Sequence, residues 1–287
     1  MKGYDNLSSG KMEFIKHLET DESFEFVVSD VLDKEVLVQE MEGCDMVFHL
    51  AANPDVKLGS SDTYVHLEQN VMATYNVLEA MRICGVKDIV FTSTSTVYGE
   101  TEVIPTPEDH GPLEPISLYG SSKLACEALI SAYCHTFDMH SVSFRFANVV
   151  GPRSTHGVIY DFVRKLKEDP GKLEILGSPP GTMKSYFFVS DCIDGMLHGV
   201  EHSDEKVEYL NLGSEDHISV QDIADTVCRE MGLEGVTYRW TGGAGEGRGW
   251  KGDVKLMLLS IDKLKAMGWS PKYSSSESVA KTVRSLL

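Results

Sequence analysis

No apolar run in the sequence reaches the roughly 18–20 residues needed to cross a bilayer, and the N-terminus has no apolar stretch of the secretory type. Basic runs are missing as well. The formal charge is 26 − 44 = −18, whereas a surface that grips a nucleic acid must be basic. Six cysteines (Cys44, Cys84, Cys126, Cys134, Cys192, Cys228) form no CxxC and no Cys/His ligand spacing. That excludes a disulfide frame or zinc site and implies reduced, buried thiols in a cytoplasmic protein. The ten histidines are read as surface or core residues, and no metal is expected. Repeats and low-complexity segments are absent. A membrane or nucleic-acid partner is therefore not expected.

What is present is the composition of an ordinary globular chain: 287 residues, 42% hydrophobic and 24% charged, enough for two unequal lobes. Short apolar runs alternate with amphipathic stretches, as in a parallel sheet flanked by helices. Strands are predicted at Phe24–Val28, Asp45–Leu50, Asp88–Ser93 and Ser141–Ala147. Helices are predicted at Asp33–Glu42, Leu67–Gly85 and about Tyr119–Phe137, and the Pro-rich stretch between Pro105 and Pro115 reads as a loop. After Gly151 the alternation loosens, with helices at Ser219–Met231 and Ser260–Met267, each capped by its serine, and at Ser274–Leu287. The expected architecture is α/β: a doubly wound parallel sheet over 1–152, to which 186–210 returns. A smaller C-terminal α/β domain is expected from 153–185 and 211–287.

The residues that carry chemistry cluster early. Tyr119-Gly-Ser-Ser-Lys123 heads a predicted helix, and an i, i+4 spacing puts both side chains on one face. An ammonium beside a phenol favours the phenolate, so the tyrosine pKa is expected to fall from its usual ~10, giving a base for a hydroxyl proton. Alone the pair is common on helix surfaces. It gains meaning from Thr94-Ser-Thr-Val-Tyr-Gly99 at the C-terminal end of the strand Asp88–Ser93, the edge at which open α/β sheets bind ligands. The preceding strand ends in His49-Leu-Ala-Ala52, small enough for a flat cofactor to approach the backbone.

These segments, followed in order by Arg145-Phe-Ala-Asn-Val-Val-Gly-Pro152, resemble the extended short-chain dehydrogenase/reductases, specifically the UDP-glucose 4-epimerase group. The resemblance implies a Rossmann-like fold, NAD as cofactor, a UDP-sugar substrate and a homodimer formed through the helices at Leu67–Gly85 and Tyr119–Phe137. By the same resemblance Thr94 polarises the reacting oxygen, Tyr119 is the base, and Lys123 serves the cofactor ribose and the tyrosine. Asp5, Asn6, Ser8, Ser9 and Gly10 fall where the adenosine ribose is held, and Asp30 and Val31 at the adenine. Leu50, Ala51, Ala52 and Asn70 fall in the cofactor pocket. Ser95, Thr96, Asn148, Lys184, Arg248 and Asp253 fall at the substrate, the basic pair at its diphosphate. Arg153 and Lys251 are further cations nearby, and Met257 is close to the family's gate for N-acetyl sugars.

One family element is not in this sequence: no strand–Gly-x-x-Gly-x-x-Gly–helix precedes Asp5, so the pyrophosphate cradle is not supplied. The expectation is that the first βα unit is missing, leaving an exposed sheet face and a weakened cofactor site. The reaction implied is 4-epimerisation of a UDP-hexose through a transient 4-keto sugar. A 4,6-dehydratase would carry an Asp-Glu pair after the threonine, and a decarboxylase a Glu at the second of those positions; here Ser95-Thr96 follow Thr94. A non-catalytic dinucleotide-binding or truncated relative is the remaining alternative.

Overall fold

In the computed structural model, which describes residues 1–245 and 247–287, the first half of the chain alternates strand and helix. β1 (Lys2–Asp5) pairs in parallel with β2 (Glu25–Val28), Tyr4 opposite Val27. Asp33 caps α1 (Lys34–Met41) by accepting from the Val36 amide at 3.3 Å. Then come β3 (Met46–His49), α2 (Ala73–Cys84), β4 (Asp88–Thr94), α3 (Leu118–Phe137) and β5 (His140–Phe146). β4 buries Ile89, Val90 and Phe91, as a strand covered by helices on both faces must. α2 stops at Gly85, whose φ of 77° suits a residue without Cβ. Ahead of α2 the chain coils in π geometry over Leu67–Met72; a π turn widens the helix by a residue and re-aims its side chains.

The second half holds more regular structure than its glycines suggest. It runs through β6 (Asn148–Val150), α4 (Val158–Glu168), β7 (Lys172–Ile175), β8 (Met183–Lys184) and β9 (Tyr186–Phe188). Next are α5 (Val189–Glu201), β10 (Val207–Leu212), β11 (Ile218–Ser219), α6 (Val220–Glu230) and β12 (Thr237–Trp240), and then β13 (Leu256–Met257), α7 (Asp262–Ala266) and α8 (Ser275–Leu286). Gly195 and Gly199 let α5 lie flat on the sheet: a Cβ there would stand 2.5 Å from Leu212 and 2.8 Å from Leu210. Ser219 and Ser274 close capping boxes with Asp222 and Glu277. The serine cap expected for the helix at 260–267 is not formed. Ile261 occupies the cap of α7, and the Ser260 hydroxyl, one residue early, accepts from the Asp262 amide at 3.3 Å.

β10 rejoins the first half, giving an all-parallel sheet in the order β10-β5-β4-β3. The fold is the Rossmann-like α/β arrangement, with the small sheets β11-β8-β13, β12-β7 and β6-β9 beside it. The parallel sheet comes in two pieces. No backbone ladder joins β1-β2 to β3, and Val28, Met46, Phe48 and Leu50 are exposed. Side chains hold the pieces together: Asn76 of α2 donates to the carbonyls of Val31 and Leu32 at 3.1 and 3.2 Å, and Lys2 pairs with Glu40 at 2.8 Å. Tyr4 and Val47 pack on one core cluster with Leu37, Leu78 and Met81. Among the described residues no helix is long and apolar enough to cross a membrane, and no group of three metal-ligating side chains occurs.

Candidate active site

The tip of β4 is the centre of the site. Thr94 ends the strand and caps the short turn Ser95–Tyr98, its hydroxyl oxygen accepting from the Thr96 amide at 3.2 Å and lying 3.1 Å from the Thr96 hydroxyl. Gly99, at φ 68°, turns the chain out into the Pro-rich loop where a Cβ would strike the Glu114 carbonyl oxygen at 2.0 Å. The chain returns at Ser117, which caps α3 by accepting from the Gly120 amide at 3.1 Å. A Cβ on Gly120 would stand 2.8 Å from the Thr96 carbonyl oxygen. Its absence lets the first turn of α3 rest on the strand tip, which sets Tyr119 beside Thr94.

One turn on, Lys123 is buried at 3% exposure and donates to the Thr92 carbonyl oxygen at 2.7 Å, its ammonium 4.7 Å from the Phe91 ring centre. An ammonium has three donors, and Thr92 is its one hydrogen-bond acceptor among the described residues. Burial brings the Lys123 pKa down to about 8. Burial also pushes Tyr119 up to about 12, with the Thr94 hydroxyl pulling the other way. The expected fall of the tyrosine pKa is therefore corrected. The ammonium is committed to Thr92, and desolvation of the phenolate outweighs Thr94's help.

Asn70, in the π turn, ties three elements together. Its carbonyl oxygen accepts from the Asn53 amide at 2.7 Å, and its amide donates to the Ser122 hydroxyl at 2.9 Å. That pins the segment Leu50-Ala51-Ala52, exposed at Leu50 and Ala51, to α3. His66, which the sequence did not single out, stands edge-on to Tyr119 with ring centres 5.7 Å apart and Nδ1 3.4 Å from the Asn70 amide. His49 is buried, hydrogen-bonded to Thr74 at 2.9 Å, and driven down to about pKa 3 by burial first and the Lys123 charge second.

A second cluster lies at the ends of β1 and β2. The Asp5 carboxylate accepts from the Leu7 amide at 2.6 Å, and Gly10 packs against it. Asn6 donates to Asp30 at 2.8 Å and accepts from Ser8, while Ser8 and Ser9 are exposed. Asp30 also accepts from the Leu32 amide at 2.9 Å, and Val31 is the half-buried residue next to it.

The third cluster joins the small sheets to the loop before β13. Lys184 pairs with the buried Asp253 at 2.5 Å and lies 5.6 Å from the Trp250 ring centre. Arg248 makes two bonds to Glu100, at 2.7 and 2.6 Å. Both cations expected at a diphosphate thus face carboxylates, and Glu100 is a partner that spacing could not disclose. Asn148 donates to the Ser185 carbonyl oxygen at 3.0 Å, Arg153 to that of Phe14 at 2.7 Å, Lys251 is exposed, and Met257 is a core residue.

Residues 3–213 match the NAD dependent epimerase/dehydratase family. The chain is 29% identical over 285 residues to a putative UDP-glucose 4-epimerase of Methanocaldococcus jannaschii, covering 97% of this chain and 88% of that protein. It is 28% identical to the UDP-glucose 4-epimerase of Mycolicibacterium smegmatis, with 98% and 88% covered. A solved UDP-galactose 4-epimerase is 41% identical at a TM-score of 0.87, covering 99% of this chain and 89% of that one. Thermus thermophilus UDP-glucose 4-epimerase in complex with NAD is 29% identical at 0.84, with 99% and 90% covered.

Proposed function

The chain belongs to the NAD-dependent epimerase/dehydratase family, and from that premise we propose that it interconverts UDP-glucose and UDP-galactose through a transient 4-keto sugar. Its cofactor is NAD. The residues fit the two ends of such a molecule. Asp5 offers an exposed carboxylate to one ribose with Asp30 half-buried beside it at the adenine, and the Lys123 ammonium, buried with one acceptor, has donors to spare for the other ribose. Between them, no glycine-rich turn running from a strand into a helix occurs among the described residues.

When bound, the cofactor would supply a reversible hydride acceptor for the sugar C4. The protein's part is to move the proton and hold the sugar. Tyr119 would act as its phenolate, a form that the positive charge of the bound oxidised cofactor would favour over the phenol of the unliganded chain; it would take the 4-hydroxyl proton and give it back, with Thr94 donating to the same oxygen. Asn148, Lys184 and Arg248 hold the diphosphate far from the reacting carbon, so that the keto sugar can present its other face. For that, Lys184 and Arg248 exchange Asp253 and Glu100 for phosphate oxygens. The helices α2 and α3 would pair with a second copy in a homodimer.

The observation that carries this reading is the junction of Thr94, Tyr119 and Lys123, with hydroxyl residues, Ser95 and Thr96, directly after Thr94 where a dehydratase needs carboxylates. The test is to incubate the full chain with NAD and UDP-glucose and separate the products. UDP-galactose formed by the parent and not by Tyr119→Phe supports it. A 4-keto-6-deoxy product, or binding of both ligands without turnover, rejects it.

A further inference from the structure

Glu127 stands one helical turn beyond Lys123 on α3, as Lys123 stands one turn beyond Tyr119, so the three line one side of the helix. It is 2% exposed and grips Arg145, itself 4% exposed, through two bonds: Nε to Oε1 at 3.1 Å and Nη2 to Oε2 at 2.8 Å. Ser93, the residue before Thr94, donates to the same carboxylate at 2.5 Å. The guanidinium lies between the rings of Tyr98 and Tyr209, 4.9 and 4.8 Å from their centres. Its remaining Nη1 donates to the Tyr98 hydroxyl at 3.0 Å and the Glu108 carbonyl oxygen at 3.1 Å.

A buried ion pair is a poor source of stability, because desolvation offsets the attraction. What this one supplies is a fixed negative charge one helical turn from Lys123 and a fixed strand tip. We propose that Glu127, held by Arg145, is a positioning residue: its carboxylate keeps the Lys123 ammonium charged in a buried site, and its bond to Ser93 sets the register of Thr94 against Tyr119. The use made of that ammonium rests on the epimerase reading; the electrostatic coupling does not.

The groups around Lys123 support this assignment. Burial lowers its pKa, and Cys126 and Glu127 oppose the fall. Cys126 is itself pushed up by burial, so near neutral pH it is an uncharged thiol. His49, from β3, is uncharged at that pH, β4 contributes a carbonyl oxygen and a ring, and the Tyr119 phenol is protonated. Of the groups that oppose the fall, Glu127 is then the one that carries a negative charge.

The experiment tracks the Lys123 Nζ resonance against pH by nitrogen-detected NMR in the full chain without ligands, assigned by its loss in Lys123→Met. The parent midpoint is expected near 8. In Glu127→Gln it falls by about one pH unit, a tenfold change in the ionisation constant, and Glu127→Asp restores part of the difference. Glu127→Gln leaves the Arg145 charge unpaired and can fail to fold. The double variant Glu127→Gln/Arg145→Met buries no lone charge and shifts the midpoint in the same direction by a smaller amount, because the opposing guanidinium charge goes with the carboxylate. An unchanged midpoint in the folded variants overturns the proposal. A shifted midpoint in a protein that does not epimerise leaves it standing and removes the epimerase reading alone.

Discussion

The Lys123 ammonium donates across 2.7 Å to the carbonyl oxygen of Thr92, two residues before the threonine that meets Tyr119. A helix and a strand are thereby fastened at the point where Tyr119 lies beside Thr94. Removing the phenol oxygen should therefore damage chemistry and spare binding. Tyr119→Phe is expected to lower UDP-glucose epimerisation about 10²–10⁴-fold, the usual share of a positioned base, with the UDP dissociation constant within a few-fold of the parent. Rate assays and calorimetric titration with UDP check this.

Lys123 also dictates a pH dependence of stability. Its folded pKa is about 8 against 10.5 unfolded, so between those values the unfolded chain holds the extra proton and stability rises with pH. The contribution is fully present above 10.5 and lost as pH falls through 8. At ~1.4 kcal/mol per tenfold change this is of order 3 kcal/mol. Urea unfolding of the parent and of Lys123→Met from pH 7 to 10 should show the gain in the parent only.

Gly120 tests the seating of α3. Alanine would favour the helix by about 1 kcal/mol, but its Cβ would meet the Thr96 carbonyl oxygen at 2.8 Å and Pro115 at 3.0 Å. Overpacking of this kind costs about 1–3 kcal/mol, so a net loss is expected in denaturant unfolding, with slower turnover as Tyr119 is lifted from Thr94. Wild-type stability together with wild-type rate would show that the close approach is not needed.

The Lys184–Asp253 pair separates stability from charge. Lys184→Met leaves Asp253, 3% exposed, with the Gly249 amide at 3.1 Å as its remaining donor among the described residues. Stranding a buried carboxylate costs roughly 3–5 kcal/mol, toward the lower end here because the Lys184 side chain is 17% exposed. Lys184→Met/Asp253→Leu should recover more than half of that in thermal or denaturant unfolding. It should still bind UDP weakly, because the cation is gone.

The sequence was most readable where a single local rule governs. The apolar continuity of Asp88–Ser93 marks a doubly covered strand, and Ser219 and Ser274 announce their helices through capping. Tyr119 and Lys123 are legible for the same reason, since helical spacing alone aligns them. The height of the tyrosine pKa is not legible, because it depends on how deeply neighbouring elements bury the phenol. α5 is hidden by Gly195 and Gly199, which make sense only once Leu210 and Leu212 lie beneath them. α4 buries Ile159, Phe162, Val163 and Leu166 at openly helical spacing; the expectation of a loosened pattern after Gly151 overlooked it. The Arg248–Glu100 contact spans 148 positions, beyond the reach of any local pattern.

The break in the parallel sheet sets an order of events in the folded protein. Among the described residues β1 and β2 form a ladder with each other alone and are fastened to the remainder by side chains such as Asn76 and Lys2. Strands β4 and β5 are paired on both edges. Subglobal opening should therefore begin at the N-terminal pair. In deuterium oxide the amide protons of Tyr4 and Val27 would be replaced while those of Phe91 and Phe144 persist, and the residues around Asp5 and Asp30 would come and go without unfolding those around Tyr119.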